Sequence, residues 1–180
     1  MTVGRQLLQK YAMHFGTFMG VYWIIKFILF PLGLVVPFLF LLYIGLTLGV
    51  PFMGYYYTKS YRNKICGGFI QFGHAWLFTI VMFMFASILT SAAHYIYFRF
   101  LDNGHIVDTY QEMINTVSQV EVAGAAVDTS QLQEAIDLFS TLTPADITFQ
   151  ILSLNVIFGS LMSIFIALFV QRSPKTFLKR

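Results

Sequence analysis

Lys26 is the most expensive side chain in the apolar stretches of this sequence. A lysine at the centre of a bilayer costs about 2.5–3.5 kcal/mol on insertion scales. Here it lies about one helical turn from Pro31, so its stem is expected to carry the ammonium outward to lipid headgroups. A functional role would pair it with a carboxylate such as Asp102, or with the phosphate of a lipid-linked ligand. His94 and Arg99 sit near the end of another apolar stretch. They suit anchoring at a membrane surface and, with Lys26, form the candidate lipid or ion-pair set. Arg99 is within reach of Asp102, a pair worth little where it is exposed. His14 and His74 are expected at similar depth in two separate stretches and could relay protons as a pair. Zinc would require three or four ligands, and no HExxH or cysteine cluster supplies them.

Other chemistries lack their residues. No carboxylate falls inside an apolar stretch, which counts against a proton- or sodium-coupled transporter. The acids lack the alternating ligands and central glycine of a calcium loop. Gly67, Gly68 and Gly73 in GGFIQFG follow a basic segment rather than a strand, so they read as a flexible lead-in to a helix, not as a phosphate loop. Cys66 is the single cysteine, so no internal disulfide forms, and nothing beside it suggests a reactive thiol. No metal, cofactor or catalytic residue is expected, and the chain is read as non-catalytic.

The elements that must position these residues are long and apolar. The 180-residue chain is 57% hydrophobic and 11% charged, against about 25% charged for a soluble domain. Four segments, 11–30, 38–57, 69–98 and 146–170, reach the roughly twenty residues needed to cross a hydrocarbon core. Together they predict one all-α membrane domain, a four-helix bundle. The first reads as a retained anchor rather than a cleaved leader. Pro31 and Pro37 are expected to bracket a tight turn between the first two.

Charge predicts the orientation. All eight acids lie from Asp102 to Asp146, a stretch without lysine or arginine. Arg5 and Lys10, then Lys59, Arg62 and Lys64, then Arg172, Lys175, Lys179 and Arg180 flank the apolar segments. Basic flanks are retained in the cytoplasm, so both termini are expected there and 102–146 on the periplasmic side. Basic residues split in this way point to a bilayer rather than to nucleic acid.

The acidic stretch has its own pattern. Ile106, Tyr110, Met113, Ile114 and Val117 recur on one helical face, VAGAAVDTS breaks the pattern, and Leu132, Ile136 and Phe139 form a second face. An amphipathic helical hairpin over 102–143 is therefore expected. Ser130 with Gln133 fits a capping box. Thr143, Pro144 and Asp146 mark the start of the last helix.

Small residues recur at helical spacing: Gly16 and Gly20, Gly45 and Gly49, then Gly159, Ser163 and Ala167. In lipid such stripes permit close helix contact, either within the bundle or with a partner or second copy.

GGFIQFGHAW, YFRFLDNG, the acidic amphipathic stretch and FGSLMSIFIALFVQRSP together resemble a family of small membrane proteins from Bacteroidota, known only as domain of unknown function 4199. The resemblance covers nearly the whole chain. It implies four crossings and a bacterial inner-membrane location, and it carries no catalytic residues. It also implies a role beside a polyprenyl-linked glycosyltransferase. The expected function is an accessory or scaffolding subunit of a membrane complex. The alternative is a small transporter or lipid-handling protein that binds an anionic headgroup.

Overall fold

The computed structural model describes residues 4–119, 121–122, 125–126 and 128–173. Val120 at the end of the first amphipathic pattern, Ala123, Gly124 and Val127 in the expected break, and Lys175, Lys179 and Arg180 of the basic tail, lie outside the described residues.

Backbone polar groups cannot be left unpaired in hydrocarbon, so apolar segments of this length fold as helices. Four helices are long and apolar enough to cross a membrane: α1 (Arg5–Val35), α2 (Pro37–Lys64), α3 (Phe72–Phe100) and α6 (Pro144–Val170). Two shorter helices, α4 (His105–Ser118) and α5 (Ser130–Thr141), lie between α3 and α6, with the two-residue strands β1 (Glu121–Val122) and β2 (Ala125–Ala126) paired antiparallel at their tip.

Side-chain contacts give the bundle its up-and-down order. Gly16 and Gly20 of α1 meet Met82, Phe85 and Leu89 of α3 in ascending register, so these helices run parallel. Tyr22 donates to the Leu46 carbonyl, and Phe15 stacks on Tyr57, so α2 descends beside α1. Gly159 meets Phe83, and Arg172 just after α6 bridges Ile70 just before α3, which places α6 antiparallel to α3. α3 is the hub, with Phe78, Met82, Phe83 and Ala86 buried among Met19, Trp23, Ile166 and Ala167. One end of the bundle carries the start of α1, the α2–α3 link and the end of α6. There Ile70 and Arg172 exchange backbone hydrogen bonds, and Arg62 donates through Nη1 to the Val170 carbonyl at 2.8 Å. The α4–α5 hairpin lies at the opposite end.

Several boundaries differ from the sequence expectation. α1 does not stop at Phe30 but runs through Pro31 to Val35, and the expected PLGLVVP turn shrinks to Val36. A proline removes one helix hydrogen bond and clashes with the preceding turn. In an apolar surrounding, leaving the helix frees more groups than staying in it. α2 extends past Tyr57 through the basic TKSYRNK to Lys64, because nothing there breaks a helix and cations suit a helix C-terminus. The stop comes at Gly67 and Gly68, with φ of +67° and +89°, a region open to glycine.

The cap of α5 also differs. Thr129 occupies the N-cap position without a side-chain bond, and Asp128 accepts from the Ser130 amide at 2.9 Å. That bond holds the Asp128 carboxyl below its ordinary range. Gln133 is spent elsewhere: it exchanges two amide hydrogen bonds with Gln111 of α4, at 2.8 and 2.9 Å. Thr143, Pro144 and Asp146 start the last helix as expected, and Thr143 and Asp146 also form a capping box there.

The stripes divide by environment. A Cβ at Gly16 would lie 2.8 Å from the Met82 carbonyl oxygen, one at Gly20 would lie 2.8 Å from Leu89, and one at Gly159 would lie 3.0 Å from Phe83. Ser163 and Ala167 are fully buried. Gly49 meets only the Tyr22 hydroxyl, and a Cβ at Gly45 meets nothing within 4 Å. Gly16→Ala is therefore expected to destabilise the bundle by about 1–3 kcal/mol, the usual cost of overpacking against atoms that cannot yield. Gly45→Ala should leave stability unchanged or slightly raised. The midpoint of denaturing-detergent unfolding checks both.

Candidate functional site

Trp23 lies three and four residues before Lys26 and Phe27, and Phe30 lies four and three residues after them, so the four share one face of α1. That face meets Thr90 and His94 of α3, Ile151 and Asn155 of α6, and Tyr43 of α2 around a cavity of about 210 Å³. The cavity lies in the half of the bundle nearer the hairpin.

Lys26 is not directed away to the helix end. Because α1 continues to Val35, Lys26 stands nine residues, about 14 Å of helix, short of that end. Its ammonium lies 5.8 Å from the Trp23 ring centre and 5.5 Å from that of Tyr43. Aromatic faces attract a cation, and more strongly where water is excluded. Among the described residues no carboxylate pairs with Lys26.

Two of the lining side chains each carry a buried nitrogen. Trp23 stacks on Phe83 at 6.0 Å, and the His94 ring packs 4.1 Å from that of Phe27. Both side chains are more than nine-tenths buried. Trp23 Nε1 and His94 Nδ1 are the only buried side-chain nitrogen or oxygen atoms among the described residues with no hydrogen-bond partner. Such a group costs about 1–3 kcal/mol and calls for a physical reason. Thr90 is different, since its hydroxyl already donates to the Ala86 carbonyl at 2.8 Å. The side chains of Lys26, Trp23, His94 and Asn155 thus line one small space. Together they can hold a compact anionic or multiply accepting group.

A second cavity, of about 370 Å³, adjoins the first. Phe27, Phe30 and Ile151 border both. Its remaining walls are Phe98 of α3, Ile106, Val107 and Tyr110 of α4, and the apolar face of α5. Burial, with Tyr43 nearby as the smaller cause, pushes the Tyr110 phenol above its ordinary value, so it stays protonated at neutral pH.

Other candidate residues lie apart. Arg99 is exposed beside the Phe100 ring and borders neither cavity. The expected Arg99–Asp102 pair is not formed, because Asp102 is buried and accepts from the Ile106 amide at 3.3 Å. The carboxylate thereby fixes the start of the hairpin, and this also removes it as a partner for Lys26. His14 and His74 do not meet each other. His14 is exposed against Phe15 and Phe18, whereas His74 Nε2 lies 3.0 Å from the Tyr61 hydroxyl. Burial raises the pKa of the Cys66 thiol, which disfavours the reactive thiolate. No group of three or more His, Cys, Asp or Glu among the described residues is placed to hold a metal ion.

Trp23, Tyr43 and Asn155 escaped the sequence reading. Only Asn155 left a usable signal there, as a lone amide within the apolar run ILSLNVIFG, where a polar group is costly.

These features define a polytopic all-α membrane protein with two adjoining cavities, one lined by Lys26 and the other apolar. The profile of the family described as "Protein of unknown function (DUF4199)" matches residues 14–172, and the chain belongs to that family. No curated protein and no solved structure matches it.

Proposed function

We propose that this protein is a non-catalytic lipid-handling or small transport protein that binds an amphiphile through its anionic head. One observation carries the reading: Lys26, without a carboxylate partner among the described residues, lines the same cavity as Trp23 and His94, the two side chains that each hold a buried nitrogen without a partner. An entering phosphate-type group would give the ammonium a counter-charge and the indole N–H an acceptor. His94 would contribute a hydrogen bond in its protonated-Nδ1 tautomer.

The proposed setting is the inner membrane of a bacterium, with the termini cytoplasmic and residues 102–146 periplasmic. Support comes from the family resemblance and from charge. Arg5, Lys59, Arg62, Lys64 and Arg172 gather toward one end of the bundle, and Asp108, Glu112, Glu134 and Asp137 belong to the hairpin at the other. Basic ends are the retained ones.

The test is selective lipid retention. The full chain, in nanodiscs of phosphatidylcholine with an equal share of phosphatidic acid, should release in native mass spectrometry with phosphatidic acid enriched at least tenfold on the protein. Equal retention of both lipids would sink the proposal.

A second reading, an accessory or scaffolding subunit, has its own observation. α2 buries little of its surface, and Gly45 faces open space where another helix could approach closely. The occupant would be a membrane-protein partner, such as a polyprenyl-linked glycosyltransferase, or a second copy of this chain. A stoichiometric protein in the same spectra would support this reading.

A further inference from the structure

The apolar face of α5 is used in an unusual way. An amphipathic helix normally buries that face against a core, yet no residue of α5 is buried. Leu132, Ile136 and Phe139 instead wall the 370 Å³ cavity, together with Phe98 and Val107. The cavity is partly open to the outside, and Leu132 on its wall is exposed. Water needs two to four polar partners, which these carbon-rich walls do not offer. A space of this kind suits a hydrocarbon occupant. Through Phe27, Phe30 and Ile151 it shares its wall with the Lys26 cavity. The pair has the scale of a small-molecule site, about 300–1,000 Å³.

We infer that the two cavities form one site, with the phosphate-type head at Lys26 and its hydrocarbon chain beneath the α4–α5 hairpin. The inference rests on the head-group reading above and adds the source of the phosphate: a long-chain phosphate ester, not a water-soluble phosphate. The hairpin covers the chain, and the Gln111–Gln133 amide pair joins its two helices across the cover.

Three probes test it on the full-length protein in phosphatidylcholine nanodiscs: dodecyl phosphate, butyl phosphate and inorganic phosphate. The proteins compared are the wild type, Ile136→Trp, Val107→Trp and Lys26→Met, each checked for helicity by circular dichroism. Partitioning of a probe into the bilayer is common to all four, so differences between proteins report the cavity. The wild type should bind dodecyl phosphate at least tenfold more tightly than either tryptophan variant does. Binding of butyl phosphate should stay within twofold across wild type and tryptophan variants, and Lys26→Met should weaken every phosphate probe that binds. If dodecyl phosphate binding falls in Lys26→Met but in neither tryptophan variant, the chain slot is wrong and the head site stands. A wild type that binds inorganic phosphate as tightly as dodecyl phosphate also overturns the chain slot. A wild type that takes up no probe removes both readings.

Discussion

Lys26→Met is expected to abolish the selective retention of phosphate-headed amphiphiles while leaving the bundle folded. The ammonium is held beside Trp23 and Tyr43 and has no carboxylate partner among the described residues. Its removal takes away one charge-assisted hydrogen bond to the head, worth about 1.5–3 kcal/mol. Affinity should therefore fall about tenfold to 150-fold. Stability should move the other way, because a charge within an apolar segment carries an insertion penalty of a few kcal/mol, and methionine fills a similar volume without it. Lys26→Arg should recover most of the retention, since it keeps the charge. Lipid counts from native mass spectrometry, beside unfolding midpoints, separate the two effects. A folded Lys26→Met protein that retains as much phosphatidic acid as the wild type would remove Lys26 from the head site.

The second large effect is expected at the other end of the bundle. Arg62 is buried, donates from Nη1 to the Val170 carbonyl at 2.8 Å, and from Nε to Asn63 Oδ1 at 2.9 Å. The last carbonyls of a helix have no partner within it, and a cation there also favours the helix dipole. Arg62 thus closes the end of α6 onto the end of α2. Arg62→Met should cost about 1.5–3 kcal/mol, the range for a charge-assisted hydrogen bond. Amide exchange should speed up at the end of α6 and in the α2–α3 link, where Ile70 pairs with Arg172. Arg62→Lys should restore only part of the loss, because lysine lacks the planar fork that reaches two acceptors. Unchanged exchange at both segments would show that the clasp contributes little.

The hairpin illustrates what a pattern in sequence can and cannot reveal. The helical spacing of Ile106, Tyr110 and Ile114, and of Leu132, Ile136 and Phe139, locates both short helices correctly. It implies that each apolar face packs onto something, and for α4 this holds, with Ile106 and Ile114 buried. The face of α5 borders a cavity instead. Periodicity states that a face avoids water and is silent on whether side chains or a ligand fill the space beyond. The capping residues show a similar limit. Thr143 and Asp146 bond only each other, so their motif is legible locally. Gln133 is claimed by Gln111, twenty-two positions earlier, and a local capping reading cannot anticipate such a competitor.

Composition and charge, without any coordinates, establish a membrane chain with four apolar segments and an acidic hairpin, because lipid imposes length and apolarity on each segment separately. They also single out Lys26 and His94, since ionisable groups are rare in such segments. Tertiary structure alone decided that these two meet Trp23, Tyr43 and Asn155 around one space. The reason is rotational. A helix that is apolar on all sides carries little record of which face turns inward, and close-packed contacts such as Gly16 on Met82 and Gly159 on Phe83 set that rotation once the helices come together.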